Sequence, residues 1–272
     1  MNVLENPRSP RVRAVAKLTK RSARAETGLY LLEGPQAVRE ALTYSPEAIV
    51  ELFATPTGWE KHQDIRAKAS DAGIDVEHVT EYVLNAMADT VTPQGLVAVV
   101  RQAPTSVRDI FADSPRLVAI CEEIRDPGNL GTIIRAADAA GADAVVLTGR
   151  TVDPYNPKVV RATTGSLFHL PVAVGAELAD VVEKAHAAGL QILAADVKGD
   201  DLLRARADGV LAEPTAWLFG NEARGLEDDA LDQADQVLKL PIFGRAESLN
   251  LATAASVCLY ESAFAQRAAS SA

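Results

Sequence analysis

LVAICEEIRDPGNLGTIIRAADAAGADAVVLT, residues Leu117 to Thr148, is the stretch that decides the fold. The apolar run Leu117, Val118, Ala119, Ile120 reads as a buried strand. Asp126-Pro127-Gly128-Asn129 then breaks it, and a helix-period segment follows until Gly141 stops it. Ala144 to Leu147 is a second buried strand. At about 100° per residue, Leu130, Ile133, Ile134, Ala137 and Gly141 fall on one narrow stripe, while Asn129, Thr132 and Arg135 project from the other side. A strand, loop, helix, strand unit presents ligand-binding groups beyond the carboxyl ends of its strands, and Asn129 falls there. The spacing GNLGTIIR, Gly128 to Arg135, matches neither G-x-G-x-x-G nor G-x-x-x-x-G-K-[ST], so neither nucleotide signature is met.

Downstream, strands are expected at Pro171–Val174, Leu190–Val197, Ala216–Phe219 and Gln236–Leu240. Helices are expected at Val159–Leu167, Glu177–Ala188, Asp228–Gln233 and Leu249 to about Gln266, with Asp200–Asp208 a polar loop or loose helix. Apolar strands alternating with helices imply a mainly parallel α/β sheet. Upstream, a basic helix over Val12–Arg24 precedes strands at Gly28–Glu33, Ala48–Phe53, Ile74–Val79 and Gly95–Arg101. Helices at Gln36–Leu42, Glu60–Ala72 and Glu81–Ala88 alternate with them, which describes a smaller α/β layer structure. Pro104, Thr105, Ser106, Ser114 and Pro115 mark Gln102–Pro115 as a linker, dividing the chain into domains of residues 1–104 and 115–272. Ala268 to Ala272 form a small-residue tail.

A chain of 272 residues has room for two modest domains and needs no staples to bury a core. Its 48% hydrophobic and 24% charged residues are those of a soluble globular protein. It lacks an apolar run of about 18 residues, and its first residues lack a signal-peptide core, so no membrane partner is expected and cytoplasmic residence is the default. Cys121 and Cys258 sit inside apolar patterns without CxxC spacing, and His62, His78, His169 and His186 share no spacing; no metal site is expected. The absence of G-x-S-x-G gives no support to that type of hydrolase. The net charge of −10 argues against a general nucleic-acid coat. The first 25 residues run the other way, with Arg8, Arg11, Arg13, Lys17, Lys20, Arg21 and Arg24 against the single acid Glu5. Such a run is either a solvated helix face or a place that attracts RNA phosphate.

Two further stretches, LFGNEARGLEDD (Leu218 to Asp229) and LPIFGRAESLNLATAASVCLYE (Leu240 to Glu261), follow the opening unit in order. Together the three segments resemble the motifs of the SpoU/TrmH group of RNA 2'-O-ribose methyltransferases, in the SPOUT class, over about Arg116 to Glu261. YLLEGPQAVREAL and the later TPQGLVAVV resemble the L30e-like substrate-binding domain that precedes many of these enzymes, over residues 10–101. The resemblance implies a trefoil knot, in which the last helix passes through a loop. It also implies S-adenosylmethionine as methyl donor and a homodimer with Arg135 acting across the interface. RNA recognition by the first domain follows too, with Arg8 to Arg24 and Glu33, Gln36 and Arg39 near the RNA, although Glu33 and Arg39 equally suit a strand end and a helix-face charge.

The resemblance assigns cofactor binding to Gly220, Leu240, Ile242, Leu249 and Ala194. Apolar side chains and a glycine just past a strand suit an adenine pocket with close backbone approach. It assigns the reaction to Arg135, Asn129, Glu222, Ser248 and Asn250. Asn129 and Asn250 orient hydroxyl or backbone groups, Ser248 bonds nucleotide or cofactor, and Glu222 fixes Arg135 or a loop amide. Blander roles are N-caps for Asn129 and Ser248, a surface charge for Glu222, and an i+3 pairing of Arg135 with Asp138. The family's arginine is proposed to act on the 2'-hydroxyl. A general base is hard to reconcile with a pKa above about 12, so a clamp on phosphate and developing oxyanion is preferred. Glu247 departs from the usual small-residue version of its loop. Ribosomal RNA, most of all 23S, is the expected substrate. The alternatives are a transfer RNA methyltransferase, a non-catalytic RNA-binding or ribosome-assembly protein, and a dehydrogenase disfavoured by the missing glycine fingerprint.

Overall fold

The computed structural model describes residues 3–270. The chain forms two compact units. One contains the residues up to Ala103 together with Asp153–His169; the other contains Pro104–Val152 and the chain from Leu170 onward.

The first unit runs β1 (Val3–Leu4), α1 (Pro10–Lys17), α2 (Arg21–Thr27), β2 (Leu29–Glu33), α3 (Pro35–Tyr44), β3 (Ile49–Ala54), α4 (Pro56–Lys61), α5 (Gln63–Asp71), β4 (Val76–Val79), α6 (Glu81–Met87) and β5 (Leu96–Arg101). Its strands lie in the order β1-β4-β3-β5-β2, with β5 antiparallel to both neighbours. Strand alternation divides the core in two: Tyr30, Leu32, Ala98 and Val100 pack toward α3 and α5, while Leu31, Val97 and Val99 pack toward α1 and α6.

The single basic helix expected over Val12–Arg24 is two helices. Ser9 caps α1, the chain turns at Leu18–Lys20, and the Arg24 guanidinium donates to the carbonyls of Leu18 and Thr19 at 2.9 Å each. Arg24 also pairs with Asp153 at 2.6 Å and is 2% exposed, so it holds the unit together and is closed to RNA. Similarly, Arg11 pairs with Glu51 and Glu77 over the Phe53 ring, and Arg13 donates to the Arg8 carbonyl. The helix expected over Glu60–Ala72 breaks at His62, whose ψ of 70° leaves the helical region and separates α4 from α5.

The second unit opens with α7 (Val107–Ala112), β6 (Leu117–Glu122), α8 (Pro127–Ala140) and β7 (Ala144–Thr148). After α9 (Pro157–Thr163), which belongs to the first unit, it continues with β8 (Val172–Ala176), α10 (Leu178–Ala187), β9 (Gln191–Asp201), α11 (Leu202–Ala207), β10 (Thr215–Phe219), α12 (Asp228–Leu231), β11 (Gln236–Lys239) and α13 (Leu251–Ser270). The order is β11-β9-β10-β6-β7-β8 and every pairing is parallel. All residues of β7 and β10 are buried, as continuous apolar runs in a doubly covered parallel sheet require.

Residues read as linker form α7, capped by Ser106 and anchored by buried Ile110 and Phe111. The flanking prolines hid a helix of only six residues. β9 is longer than expected and interrupted: Val237 pairs with Ala194 but Leu238 pairs with Asp200, so residues 195–199 bulge out. Gly199 packs directly on the Val237 backbone, where a side chain has no room. α13 continues past Gln266 to Ser270, into the small-residue tail; residues 271–272 lie outside the described residues. It is fixed to the sheet by a 2.9 Å bond from Trp217 Nε1 to Ser262 Oγ, both fully buried.

Candidate active site

Three segments at the carboxyl side of the parallel sheet enclose one cavity of about 390 Å3: the β9 bulge, the loop after β10, and the loop after β11. Gly220 begins the second of these. A Cβ on it would lie 2.5 Å from both the carbonyl carbon and oxygen of Gly225, so the loop can fold back only over a glycine. Asn221 and Gly225 exchange backbone hydrogen bonds of 3.0 and 2.9 Å, and Gly225 takes a φ of +68°. The Asn221 side chain accepts from the Ala223 and Arg224 amides and donates to the Glu123 carbonyl at 2.9 Å. The loop is therefore stitched internally and to the end of β6.

Leu226, Leu240, Ile242 and Leu249 give the cavity apolar walls, and Asp196, Glu222 and Ser248 supply polar groups. Of the cofactor residues expected from sequence, Leu240, Ile242 and Leu249 line it. Gly220 is buried behind it against Gly225 and Leu226, which do line it. Ala194 sits fully buried in the core, one residue before the lining begins at Ala195. The bulge residues Asp196, Val197 and Lys198 escaped the sequence reading. Their signal was Gly199, an isolated glycine inside a strand pattern, which marks a bulge or close backbone approach.

A larger cleft, about 540 Å3, lies across the Asn221–Gly225 loop and is lined by Glu122, Glu123, Arg125, Arg150, Glu177, Glu227 and Asp229 among others. Its charged walls offer little to an adenine ring. Burial, reinforced by Glu123, Glu177 and Asp229, raises the Glu122 carboxyl above the usual carboxylate range against a hydrogen bond from Thr148. The adjacent Arg125 and Arg224 guanidiniums hold Glu123 below it.

The polar residues expected to carry the reaction meet across long stretches of chain. The Glu222 carboxylate accepts from the backbone amides of Arg125 (3.2 Å) and Asp126 (2.9 Å) and from Asn129 Nδ2 (3.4 Å). Asn250 Nδ2 in turn donates to Asn129 Oδ1 at 2.9 Å. Of the two tasks considered for Glu222, its bonds match the loop-amide one. Asn129 is not the cap of α8: Asp126 is, accepting from the Asn129 amide at 2.7 Å. Likewise Asn250, not Ser248, accepts from the Thr253 amide to cap α13, which leaves the Ser248 hydroxyl at the cavity wall.

Arg135 stands apart. It lies on the exposed side of α8, outside the lining of the cavity, and makes no hydrogen bond or ion pair among the described residues. Cys121 and Cys258 are buried, and burial pushes the Cys258 thiol up to about 12. Among the described residues no three His, Cys, Asp or Glu side chains are grouped to hold a metal ion, and no helix is long and apolar enough to cross a membrane.

Known proteins resemble the chain in sequence and fold. The pattern of the SpoU rRNA Methylase family matches residues 116–260, and that of the RNA 2'-O ribose methyltransferase substrate binding family matches residues 31–106. The 23S rRNA (guanosine(2553)-2'-O)-methyltransferase RlmP of Bacillus subtilis (strain 168) is 33% identical over 260 residues, covering 96% of this chain and 98% of its own. A crystal structure of an AdoMet-bound rRNA methyltransferase from Sinorhizobium meliloti superposes with a TM-score of 0.83 at 34% identity, over 96% of this chain and 97% of that one. The SpoU methyltransferase AviRb from Streptomyces viridochromogenes, in complex with AdoMet, gives 0.81 at 30% identity, over 96% and 100%. Since the first pattern spans more than half the sequence and whole-length relatives accompany it, the chain belongs to the SpoU rRNA methylase family.

Proposed function

We propose that this protein transfers a methyl group from S-adenosylmethionine to a ribose 2'-hydroxyl in ribosomal RNA, most specifically 23S. The observation that carries this reading is the meeting of all three motifs at one cavity: Leu240 and Leu249 share its wall, Gly220 backs it, and Glu222, Asn129 and Asn250 join hands beside it. The cavity suits the donor. Its volume falls within the ligand-pocket range of about 300–1,000 Å3, Leu226, Leu240, Ile242, Leu249 and Leu251 give it an aliphatic side, and the Asp196 and Ser248 side chains offer partners for a polar amino-acid end. Bound there, S-adenosylmethionine supplies an electrophilic methyl group for in-line displacement. The rRNA relatives match nearly the whole chain, whereas the structure concerned with 2-OH methylation of C/U34 on tRNA covers 57% of it, which favours ribosomal RNA over transfer RNA.

The residues divide the work. Glu222, by accepting from the Arg125 and Asp126 amides, fixes the first turn of α8, and the Asn129–Asn250 bond sets α8 against the start of α13. Arg135, permanently charged, clamps the neighbouring phosphate and stabilises negative charge growing on the 2'-oxygen, while the hydroxyl proton passes to solvent. In this reading Arg135 completes the cavity of a second copy. Beside it, α13 exposes Val257 and Phe264, with the half-buried Tyr260 between them at helical spacing, and Tyr260 Oη donates to the Ala139 carbonyl of α8. A homodimer burying that face brings Arg135 to the partner.

The trefoil knot belongs to the same reading. Support comes from the path of the chain, which reaches the sheet edge at β11 and then returns through α13 to the central strand β10. The first unit, the chain up to Ala103 with Asp153–His169, serves as the RNA-binding domain, and the second, which takes in the expected linker as α7 and gives up residues 153–169, as the catalytic one, in the cytoplasm where ribosomal RNA is. With Arg11, Arg13 and Arg24 engaged in the fold, Arg8, Lys17, Lys20 and Arg21 are the cations of this run left to meet RNA phosphate in this reading. Glu33 accepts from the Asp89 and Thr90 amides and from Arg161, and Arg39 pairs with Asp64, so both serve the fold. Calorimetry with S-adenosylmethionine tests the cavity: saturable binding that Leu249→Glu abolishes supports the reading, and no binding by the wild-type protein refutes it.

A further inference from the structure

One aromatic side chain next to the cavity is used by nothing described so far. Phe243 is 89% exposed, although its neighbour Ile242 lines the cavity wall. Two residues on, Arg245 is exposed and makes no hydrogen bond or ion pair among the described residues, and Gly244 between them has open space around it. Resting on the function proposed above, we infer that Phe243 is the stacking platform for an unpaired RNA base beside the nucleotide being methylated, with Arg245 holding the phosphate next to that base.

The chemistry of the loop favours this occupant. A protein surface is recognised by clustered apolar side chains, as on α13, where Val257, Tyr260 and Phe264 align on one helix face. Phe243 is instead the one ring of its loop: Ile242 and Leu249 on either side turn to the cavity wall, and the residues between are Gly244, Arg245, Ala246, Glu247 and Ser248. A lone aromatic plane followed by a cation is what an unstacked nucleotide needs, a π-face for the base and a charge for its phosphate. Position agrees. The same loop carries Ile242 and Ser248 to the cavity wall and Asn250 to its bond with Asn129, so Phe243 and Arg245 stand on the segment that also borders the proposed reaction site. The stack therefore selects RNA whose target neighbourhood is single-stranded, while leaving the donor pocket alone.

Equilibrium binding of an unmodified 23S ribosomal RNA transcript tests this, alongside calorimetry with S-adenosylmethionine, methyl transfer and the oligomeric state of each variant. Phe243→Ala and Phe243→Leu should both weaken RNA binding by roughly ten-fold or more, the effect of losing one base–aromatic stack, while Phe243→Trp retains it. Donor affinity and oligomeric state should not change. Arg245→Ala should weaken RNA binding and lower the slope of log affinity against log salt by about one. Full RNA affinity in Phe243→Ala overturns the inference. So does rescue by leucine, which would identify a plain apolar contact, or dissociation of the oligomer, which would identify a second copy of the chain as the occupant. If the wild-type protein binds RNA through Phe243 yet transfers no methyl group, the proposed activity fails and the stacking role stands.

Discussion

Asn250 donates to Asn129 at 2.9 Å, joining the first residues of α13 to the first turn of α8 across 121 positions of sequence. With Glu222 accepting from the same Asn129 side chain, one asparagine links three segments that the sequence keeps far apart. Replacing Asn250 by Ala removes this bond and the cap of α13 together, and should lower stability by about 1–2 kcal/mol. Asn250→Asp keeps the cap oxygen but loses the donor. Chemical denaturation should therefore find the aspartate variant between wild type and alanine, while methyl transfer is low in both. Equal stability of all three would show that the bond does nothing.

Arg135 should matter to the reaction without mattering to the donor. Arg135→Lys is expected to slow methyl transfer by about 100-fold or more, as removal of one preorganised donor does, with donor affinity unchanged. Mixing Arg135→Lys with Leu249→Glu should restore activity, because a mixed dimer holds one site with both an intact cavity and a partner's arginine. No restoration after subunit exchange would place Arg135 in the cavity of its own chain.

Gly220 lies too close to Gly225 for any side chain. Gly220→Ala should cost about 1–3 kcal/mol and abolish donor binding by displacing the loop after β10. The readouts are the thermal midpoint and calorimetry; a variant that binds the donor normally contradicts the stitched-loop account.

The sheet and its site were unequally visible in the sequence. The strand Leu117–Ile120, the helix ending at Gly141 and the buried stripe through Leu130, Ile133, Ile134 and Ala137 follow from periodicity, since apolar spacing reports which face is covered. Short elements broken by punctuation did not: α7 lies between prolines, and the basic helix splits where Arg24 gathers the carbonyls of Leu18 and Thr19. A contact between residues more than a hundred positions apart has no local signature. For that reason the charged run at the start of the chain did not announce that Arg24 is buried against Asp153, and Arg11, paired with Glu51 and Glu77 some 40 and 66 positions on, was hidden by the same lack of a local signal. The β9 bulge at the cavity had one local mark, Gly199, but its extent did not, because residues 195–199 leave the strand only where Val237 and Leu238 pack beside them.

Glu122 gives the molecule a pH signature. Its folded-state pKa is raised, first by burial, so the folded protein retains a proton that the unfolded chain has released, and stability falls as pH rises through that window. Urea midpoints should therefore drop in the wild type as pH rises above the ordinary glutamate range of about 4.3, over and above other groups, and Glu122→Gln should reduce the drop. An identical pH dependence in both proteins would contradict the raised value.

The most direct measurement is ribose-methylation mapping of an unmodified 23S ribosomal RNA transcript incubated with the protein and S-adenosylmethionine carrying a labelled methyl group. The account predicts label on a 2'-oxygen at a defined nucleotide, absent with Leu249→Glu and accumulating about 100-fold more slowly with Arg135→Lys. Label on a base, or no transfer to the RNA by a protein that binds both ligands, would contradict it.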